Sequence, residues 1–314
     1  MQVNWLYKAK IQNFIDRFPE RLSYGFYYFL QRNFGGLKDP NPVSRLKAGV
    51  KIADLITSLG HSVKGKEFLE IGTGRRLNTP IALWLMGAGR IRTLDLNPYL
   101  RPELVKEDLQ YLVTNKNEIF EIFKGFEIDK QRFQTLESLV TSGFDLHHLM
   151  RTCLIDYMAP GNAAKLYLPN ASIDFQISHT VFEHIHPGVL HEILVEGNRI
   201  IKKSGLFVHR IDFSDHFSHS ERSINAINFL QFSDFDWNKI AGNKYMYMNR
   251  LRLDDFQLLF ENASQEILHT EVSENSDLLK GLQEQRFPLA AKFAKKSPKV
   301  LSTTGAWFVT KPCD

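Results

Sequence analysis

The sequence predicts an α/β protein built on a parallel sheet, and three observations support this fold class. Hydrophobic residues make up 43% and charged residues 24% of the 314 residues, which is the composition of a globular chain. A short apolar strand over residues 67–71 runs into a glycine turn, a helix over 79–86 and a second strand over 92–96. Such a βαβ unit has a right-handed crossover and parallel strands.

The other predicted elements extend this unit along the chain. Apolar residues at three- and four-residue steps indicate helices, and short apolar runs indicate strands. The helices are predicted at 44–59, 187–200 and 254–262, and the further strands near 154–155 and at 173–177, 206–211, 267–270 and 307–310. We expect one domain over 44–314 with insertions at about 101–150 and 212–250, preceded by an aromatic-rich helical extension or lid over 1–43.

Charge and cysteine content restrict the class of partner and the compartment. The net charge of 39 − 35 = +4 is too small to indicate nucleic-acid binding. Two cysteines give no disulfide framework, and no apolar run approaches the roughly 18–20 residues that span a bilayer. The N-terminus lacks the order of a secretory signal. We expect a soluble, cytoplasmic protein with a small-molecule partner. The aromatic extension is expected to cover one edge of the main core, with a lid, a homodimer face or a membrane-surface contact as alternatives.

The glycine turn is the strongest indication of a ligand site. Gly72 and Gly74 lie between a strand and a helix, where glycines allow a ligand to approach the backbone closely. Glu70, at the end of the first strand, can accept a hydrogen bond from a ligand ammonium, and Asp95, at the end of the second, can bind both hydroxyls of a ribose. A dinucleotide site favours a third glycine, but Arg75, Arg76 and Leu77 follow Gly74. The residues therefore favour a nucleoside that carries an amino-acid group.

These residues resemble the S-adenosylmethionine (SAM) site of class I methyltransferases. The resemblance continues, in chain order, through 172–178, 181–185 and 198–205, and covers roughly residues 45–212. The stretches 27–32, 212–216 and 249–252 resemble a bacterial subgroup linked to saccharide or secondary-metabolite pathways. The resemblance implies a Rossmann-like, doubly wound, mainly parallel sheet with an antiparallel last strand.

The same resemblance assigns the cofactor site and the reaction. It implies methyl transfer from SAM, which becomes S-adenosylhomocysteine, to an O, N or S atom of a small molecule. Gly72 and Gly74 would line the methionine part, Asp95 the ribose, and Asn162-Ala163 the adenine edge, where the family more often has Asp-Ala. The predicted cofactor contacts are Glu70, Gly72, Thr73, Gly74, Asp95, Leu96, Asn162, Ala163 and Ser178.

Histidines supply the candidate bases for an acceptor that must lose a proton. Seven of the eleven histidines fall between His179 and His219, on segments that follow the carboxyl ends of strands. We predict His179, His209 or His216 as the general base. Predicted acceptor contacts are Tyr27, Glu183, His184, Asp212, Arg250 and Arg252, of which the two arginines would bind a carboxylate or phosphate.

Three alternatives remain at the level of sequence. The series His209-x-x-Asp212-x-x-Asp215-His216 contains metal-binding residue types, but its spacing suits no standard metal loop, and we expect no metal. A nicotinamide-dependent oxidoreductase would use a similar sheet, although the missing third glycine argues against it. A protein that binds SAM without catalysing transfer is the third.

Overall fold

The computed structural model describes residues 4–313, and its core is one seven-stranded sheet. The strand order is β3-β2-β1-β4-β5-β7-β6. Neighbouring strands from β3 to β5 are parallel, whereas β7 is antiparallel to both β5 and β6. The strands are β1 (Glu67–Ile71), β2 (Arg90–Leu94), β3 (Ile155–Met158), β4 (Ile173–His179), β5 (Ile201–Asp212), β6 (Gln265–Glu274) and β7 (Thr303–Pro312). The predicted mainly parallel sheet with an antiparallel last strand is confirmed.

Helices cover both faces of this sheet. They are α1 (Trp5–Asp16), α2 (Glu20–Phe34), α3 (Val43–Ser58), α4 (Asn78–Leu85), α5 (Pro102–Thr114), α6 (Lys116–Ile122), α7 (Lys130–Thr141), α8 (Leu146–Thr152), α9 (Pro187–Ile200), α10 (Asp234–Ala241), α11 (Leu253–Asn262), α12 (Ser276–Gln283) and α13 (Pro298–Ser302). Successive residues of β1 point to opposite faces of the sheet and join two different cores. Phe68 packs with α3 to α8, and Leu69 packs with α9 and α11. The fold is therefore doubly wound.

The insertion at 101–150 is helical, as its sequence pattern predicts, whereas the insertion at 212–250 is more regular than the irregular stretch predicted there. Residues 101–150 form the four helices α5 to α8, whose apolar residues join the core of the α3–α4 face. Residues 212–250 contain α10 and two short 3₁₀ turns. The sequence did not predict α12 or α13, which have eight and five residues and are too short for a helical period to stand out.

The N-terminal extension forms α1 and α2; residues 1–3 of the predicted extension and Asp314 lie outside the described residues. Trp5 of α1 packs against Phe217 and Phe232, in a third apolar cluster with α10. Several aromatic side chains of α1, α2 and the turn between them stay exposed, namely Phe14, Phe18, Phe26 and Phe29. Within residues 4–313, the helices are too short or too polar to cross a membrane.

Two glycines give opposite expectations for stability. A Cβ at Gly49 of α3 would lie 2.6 Å from the Cβ of Ala82 in α4, whereas one at Gly25 of α2 would meet nothing within 4 Å. We expect Gly49→Ala to lower the free energy of unfolding by about 1–3 kcal/mol through overpacking. Gly25→Ala should raise it by about 0.5–1 kcal/mol, because alanine loses less backbone entropy in a helix. Urea unfolding of both variants tests this; equal effects would contradict the close packing of α3 on α4.

Candidate functional site

A crevice opens between β1 and β4, where the order of the strands in the sheet reverses. Parallel pairing aligns Ile71 at the end of β1 with Leu94 of β2 and with Ser178 of β4, so the segments that follow all three strands meet at one edge. Open α/β sheets bind ligands at this position. Two adjoining cavities of about 550 and 520 Å³ lie here, and both are lined by Gly72, Gly74 and Asp95.

The glycine turn forms the floor of the crevice. Gly72 has φ +87°, and a Cβ there would lie 2.3 Å from a methyl group of Val181. Gly74 has φ +66°, but a Cβ there would meet nothing within 4 Å, so its backbone faces open space. The Gly74 N–H donates to Asp95 Oδ2 at 2.8 Å, which fixes the carboxylate beside the turn. This is a cradle that a nucleoside and an amino-acid group can approach closely.

Glu70 ends a buried chain of hydrogen bonds at the wall of the first cavity. Thr93 Oγ1 donates to Glu70 Oε2 at 2.5 Å, and Thr73 Oγ1 lies 2.6 Å from Thr93 Oγ1. Since an ionised carboxylate only accepts, Thr73 donates to Thr93 in that state. Burial raises the pKa of Glu70 to about 7, although Thr93 and Arg45 both lower it. Glu70 thus changes charge near neutral pH.

Arg45 of α3 determines the protonation of His179 at the end of β4. Its guanidinium is hydrogen-bonded to His179 Nδ1 and donates to the His179 carbonyl oxygen at 2.8 Å. Because arginine only donates, His179 Nδ1 accepts, and a neutral ring carries its proton on Nε2. Burial and the charge of Arg45 lower the pKa of His179 to about 3. His179 lines the first cavity as predicted, but it is a weak base.

The second cavity has an apolar and aromatic wall. Leu96 is 69% exposed and lines it, together with Asn162 and Ala163. Asn162 Oδ1 accepts from the Ala164 N–H at 2.9 Å, which holds this turn in place. Tyr27 of α2 stacks on Tyr245 with ring centroids 4.1 Å apart, so the N-terminal extension supplies part of the wall.

Four of the remaining predicted residues lie next to one another. The ligand atoms of Glu183, His184 and His216 are all within 4.8 Å of one another. Asp212 Oδ2 lies 3.4 Å from His216 Nε2. Of the four, His184 lines both cavities. The structure therefore brings together residues from the turn after β4 and from the end of β5.

The structure corrects the predictions for Ser178 and His209. Both are at most 1% exposed, and they bind each other, with Ser178 Oγ 2.8 Å from His209 Nδ1. The His209 ring lies 4.3 Å from that of Phe182, between centroids, and burial lowers its pKa to about 3. Successive side chains of a β-strand point to opposite faces of the sheet, and these two point into the layer beneath α9 and α11 rather than to the crevice. His209 is not placed to act as a base, nor Ser178 to bind the cofactor.

The predicted arginine clamp is also wrong. Arg250 and Arg252 are 3% and 0% exposed, and neither lines the crevice. Arg250 donates to the carbonyl oxygens of Phe229 and Phe232 and pairs with Asp234. Arg252 donates to three carbonyl oxygens, those of Phe213, Leu301 and Thr303. Arg250 therefore holds the segment that leads into α10, and Arg252 joins the segment after β5 to α13 and β7.

Sequence reasoning missed Arg45 as a crevice residue and gave Arg75 no part in the site. Arg75 lines both cavities, and its guanidinium lies over the rings of Tyr28 and Tyr99. Its position directly after the glycine turn could have indicated this. Arg45 lies on a helix 25 residues before Glu70, and no local pattern links it to the site.

Comparison with known proteins identifies neighbours of the fold. No protein-family model and no curated protein matches the chain. The chain is similar to a SAM-dependent methyltransferase from Methanosarcina mazei, with 14% identity, 82% of this chain and 98% of that chain covered, and a TM-score of 0.46. It is also similar to a geranyl diphosphate methyltransferase in complex with GPP and sinefungin, with 8% identity, 84% and 76% covered, and a TM-score of 0.46.

A third neighbour is the cyclase SpnF, with 11% identity, 84% of this chain and 81% of that chain covered, and a TM-score of 0.43. The fold of this protein is of the Rossmann-like α/β class by its own strand order and its antiparallel β7. At these identities and TM-scores, the neighbours do not indicate what this chain binds or does. What the crevice binds must be argued from its own residues.

Titration of Glu70 gives a prediction for stability. The folded-state pKa of about 7 lies above the ordinary value of 4.5, so the contribution of Glu70 to stability is complete below pH 4.5 and is lost as the pH rises through 7. We expect the free energy of unfolding of the wild type to fall by about 3 kcal/mol more than that of Glu70→Gln between pH 4.5 and 8.5. Chemical unfolding across this range measures the difference. Parallel curves would contradict it.

Arg252 gives a prediction that separates support of the fold from ligand binding. Arg252→Met leaves three buried carbonyl oxygens without their donor, and we expect it to lower the free energy of unfolding by about 3 kcal/mol. Arg222→Met, at an exposed position, is the matched control and should change little. Ligand affinity measured below the unfolding transition should be unchanged in both. Weaker ligand binding by a folded Arg252 variant would instead support the predicted role of Arg252 in binding the acceptor.

Proposed function

We propose that this protein is a SAM-dependent methyltransferase that acts on a small-molecule acceptor in the cytoplasm. The observation that carries the proposal is the geometry of Gly72, Gly74 and Asp95, which form an open backbone cradle with a carboxylate fixed beside it. Two free cysteines, of which Cys153 is buried, are consistent with a reducing compartment. A homodimer through the exposed aromatic residues of α1 and α2 stays a prediction.

The residues of the crevice fit the parts of SAM. Asp95 would bind the ribose hydroxyls, and the exposed side chain of Leu96 would contact the adenine, with Asn162 and Ala163 at its edge. Glu70 lines the first cavity, where it would accept a hydrogen bond from the ammonium of the amino-acid part. Bound SAM supplies a methyl group on a positively charged sulfur. An ammonium beside Glu70 favours its ionised form, so the ligand and the carboxylate stabilise each other's charge.

Leu77 distinguishes this site from a dinucleotide site. It occupies the position of the missing third glycine and is 0% exposed, directly before α4. Its side chain belongs to the apolar core of the α3–α4 face, whereas a pyrophosphate-binding loop has a glycine there for close packing of the strand and the helix. The crevice thus favours a ligand without a diphosphate.

The aromatic wall supports a small-molecule acceptor. Tyr24, Tyr27, Tyr245 and Tyr247 line the second cavity, so side chains from both α2 and the segment after α10 enclose it. A concave cavity with an aromatic wall suits a compact, partly apolar acceptor better than a protein or nucleic-acid strand. Methyl transfer is an in-line displacement, so the main task of these residues is to align the acceptor.

Titration calorimetry with S-adenosylhomocysteine tests the cofactor. We expect the wild type to bind it and Asp95→Ala to bind it at least tenfold more weakly, because the ribose loses a charged hydrogen-bond partner. Asp156→Ala, at an exposed aspartate of β3, is the matched control and should bind as the wild type does.

The outcomes separate the rival functions. Absence of binding by protein that has been freed of any co-purified ligand, together with binding of NADH, would favour the oxidoreductase and overturn the proposal. Binding of S-adenosylhomocysteine without turnover of any acceptor in a broad screen would favour the catalytically silent SAM-binding protein.

A further inference from the structure

A cluster of imidazole and carboxylate groups lies beside the crevice and has no part in the proposed cofactor site. Glu183, His184 and His216 bring three ligand atoms within 4.8 Å of one another, and Asp212, His216 and His219 do the same. The two groups share His216. They come from the turn after β4 and the segment after β5, so the carboxyl ends of two adjacent parallel strands bring them together.

Glu183 is the member whose surroundings require a partner. It is 2% exposed, and neither carboxylate oxygen meets hydrogen-bond geometry with a partner among residues 4–313, although the backbone N–H groups of Glu183 and Asp212 lie near enough to act on the carboxylate. A buried carboxyl group without partners is costly and rare in folded proteins. Both oxygens are therefore free to bind a group that enters the cluster.

The protonation of His184 is fixed by a main-chain contact. Its Nδ1 lies 2.8 Å from the carbonyl oxygen of Tyr247. A carbonyl oxygen only accepts, so Nδ1 carries the proton of the neutral ring and Nε2 has a free lone pair. Histidines that bind metals commonly donate their second ring N–H to a carbonyl or carboxylate in this way.

Asp212 adds negative charge on the far side of His216. Its Oδ1 accepts from the backbone N–H and the hydroxyl of Ser214 at 2.8 and 2.6 Å, while Oδ2 lies 3.4 Å from His216 Nε2. The charges of Arg45 and Arg210 also act on Glu183 and oppose a cation. The formal charges of the two carboxylates and the two guanidiniums cancel. The affinity for a cation must therefore come from the imidazole nitrogens.

We propose that Glu183, His184 and His216 bind a divalent transition-metal ion, with Asp212 beside them. Two imidazoles and one carboxylate favour ions such as Zn²⁺, Co²⁺ or Fe²⁺ over Mg²⁺ and Ca²⁺, which prefer oxygen ligands. Donors about 2.1 Å from one ion lie at most about 4.2 Å apart, so small side-chain rotations bring this group to binding distance. Of these residues, His184 lines both cavities and so connects the cluster to the crevice.

This assignment replaces the predicted role of His216 as a general base, because a ring nitrogen that binds a metal has no lone pair left for a proton. The proposed ligands also differ from the His209-to-His216 series of metal-binding residue types in the sequence. His209 and Asp215 are excluded, since both are 0% exposed and lie outside the cluster, and Glu183 and His184 come from a segment about 30 residues earlier. The proposal does not rest on methyl transfer, because metal binding can be measured without SAM.

Cobalt titration of the full chain tests the site. After treatment with EDTA and its removal, we expect one Co²⁺ per chain to bind and give visible ligand-field absorption, with Zn²⁺ displacing it and excess Mg²⁺ failing to do so. His184→Ala and His216→Ala should abolish the absorption. Glu183→Gln, which keeps the shape of the side chain, should weaken binding by at least tenfold and serves if a histidine variant does not fold.

His147→Ala is the matched control, because His147 is exposed on α8, which leads into β3 at the opposite edge of the sheet. It should bind Co²⁺ as the wild type does. The proposal is overturned if the wild type binds no stoichiometric Co²⁺, if Glu183→Gln and the histidine variants bind normally, or if His147→Ala loses binding equally. Thermal unfolding of each variant without metal confirms that it is folded.

Discussion

The parallel pairing of β1 with β2 on one side and with β4 on the other is the constraint on which the site depends. It places Ile71, Leu94 and Ser178 in register, so the glycine turn, Asp95 and His179 emerge at one edge. The crossovers then leave the sheet on opposite faces, which opens a crevice between β1 and β4. Functional groups more than 100 residues apart in the chain meet there because strand register fixes their positions.

Burial at this edge decides the charge of its groups. Glu70 has its pKa raised to about 7, whereas the pKa of His179 is lowered to about 3 beside Arg45. Both shifts favour the neutral form, as desolvation does for acids and bases alike. Burial thus favours neutral Glu70 and His179 in the free protein, although Arg45, Arg75 and Arg76 line the same cavity.

The sequence predicted the sheet and the glycine turn with Asp95 beside it, because both follow from residues that are close together in the chain. A strand, the glycines at 72 and 74 and an acid at the end of the next strand stand close together in the chain, and their geometry follows from short-range rules. Arg45 could not be found in this way, because its contact with His179 bridges 134 residues. The errors at His209 and Ser178 have a related cause: they lie in β5 and β4, and the side of the sheet to which each side chain points depends on register.

The buried charged residues show how structural and functional roles can be separated. Arg252 and Glu183 are both almost fully buried, yet Arg252 donates to three carbonyl oxygens while Glu183 has no hydrogen-bond partner among the described residues. A charged group with partners stabilises the segments that it joins, and its position is explained by the fold. A carboxyl group without partners lowers stability and persists where another requirement outweighs that cost. Glu183 lies beside the imidazoles of His184 and His216, and a cation bound by all three groups would supply the partner that its carboxylate lacks, against the opposing charges of Arg45 and Arg210.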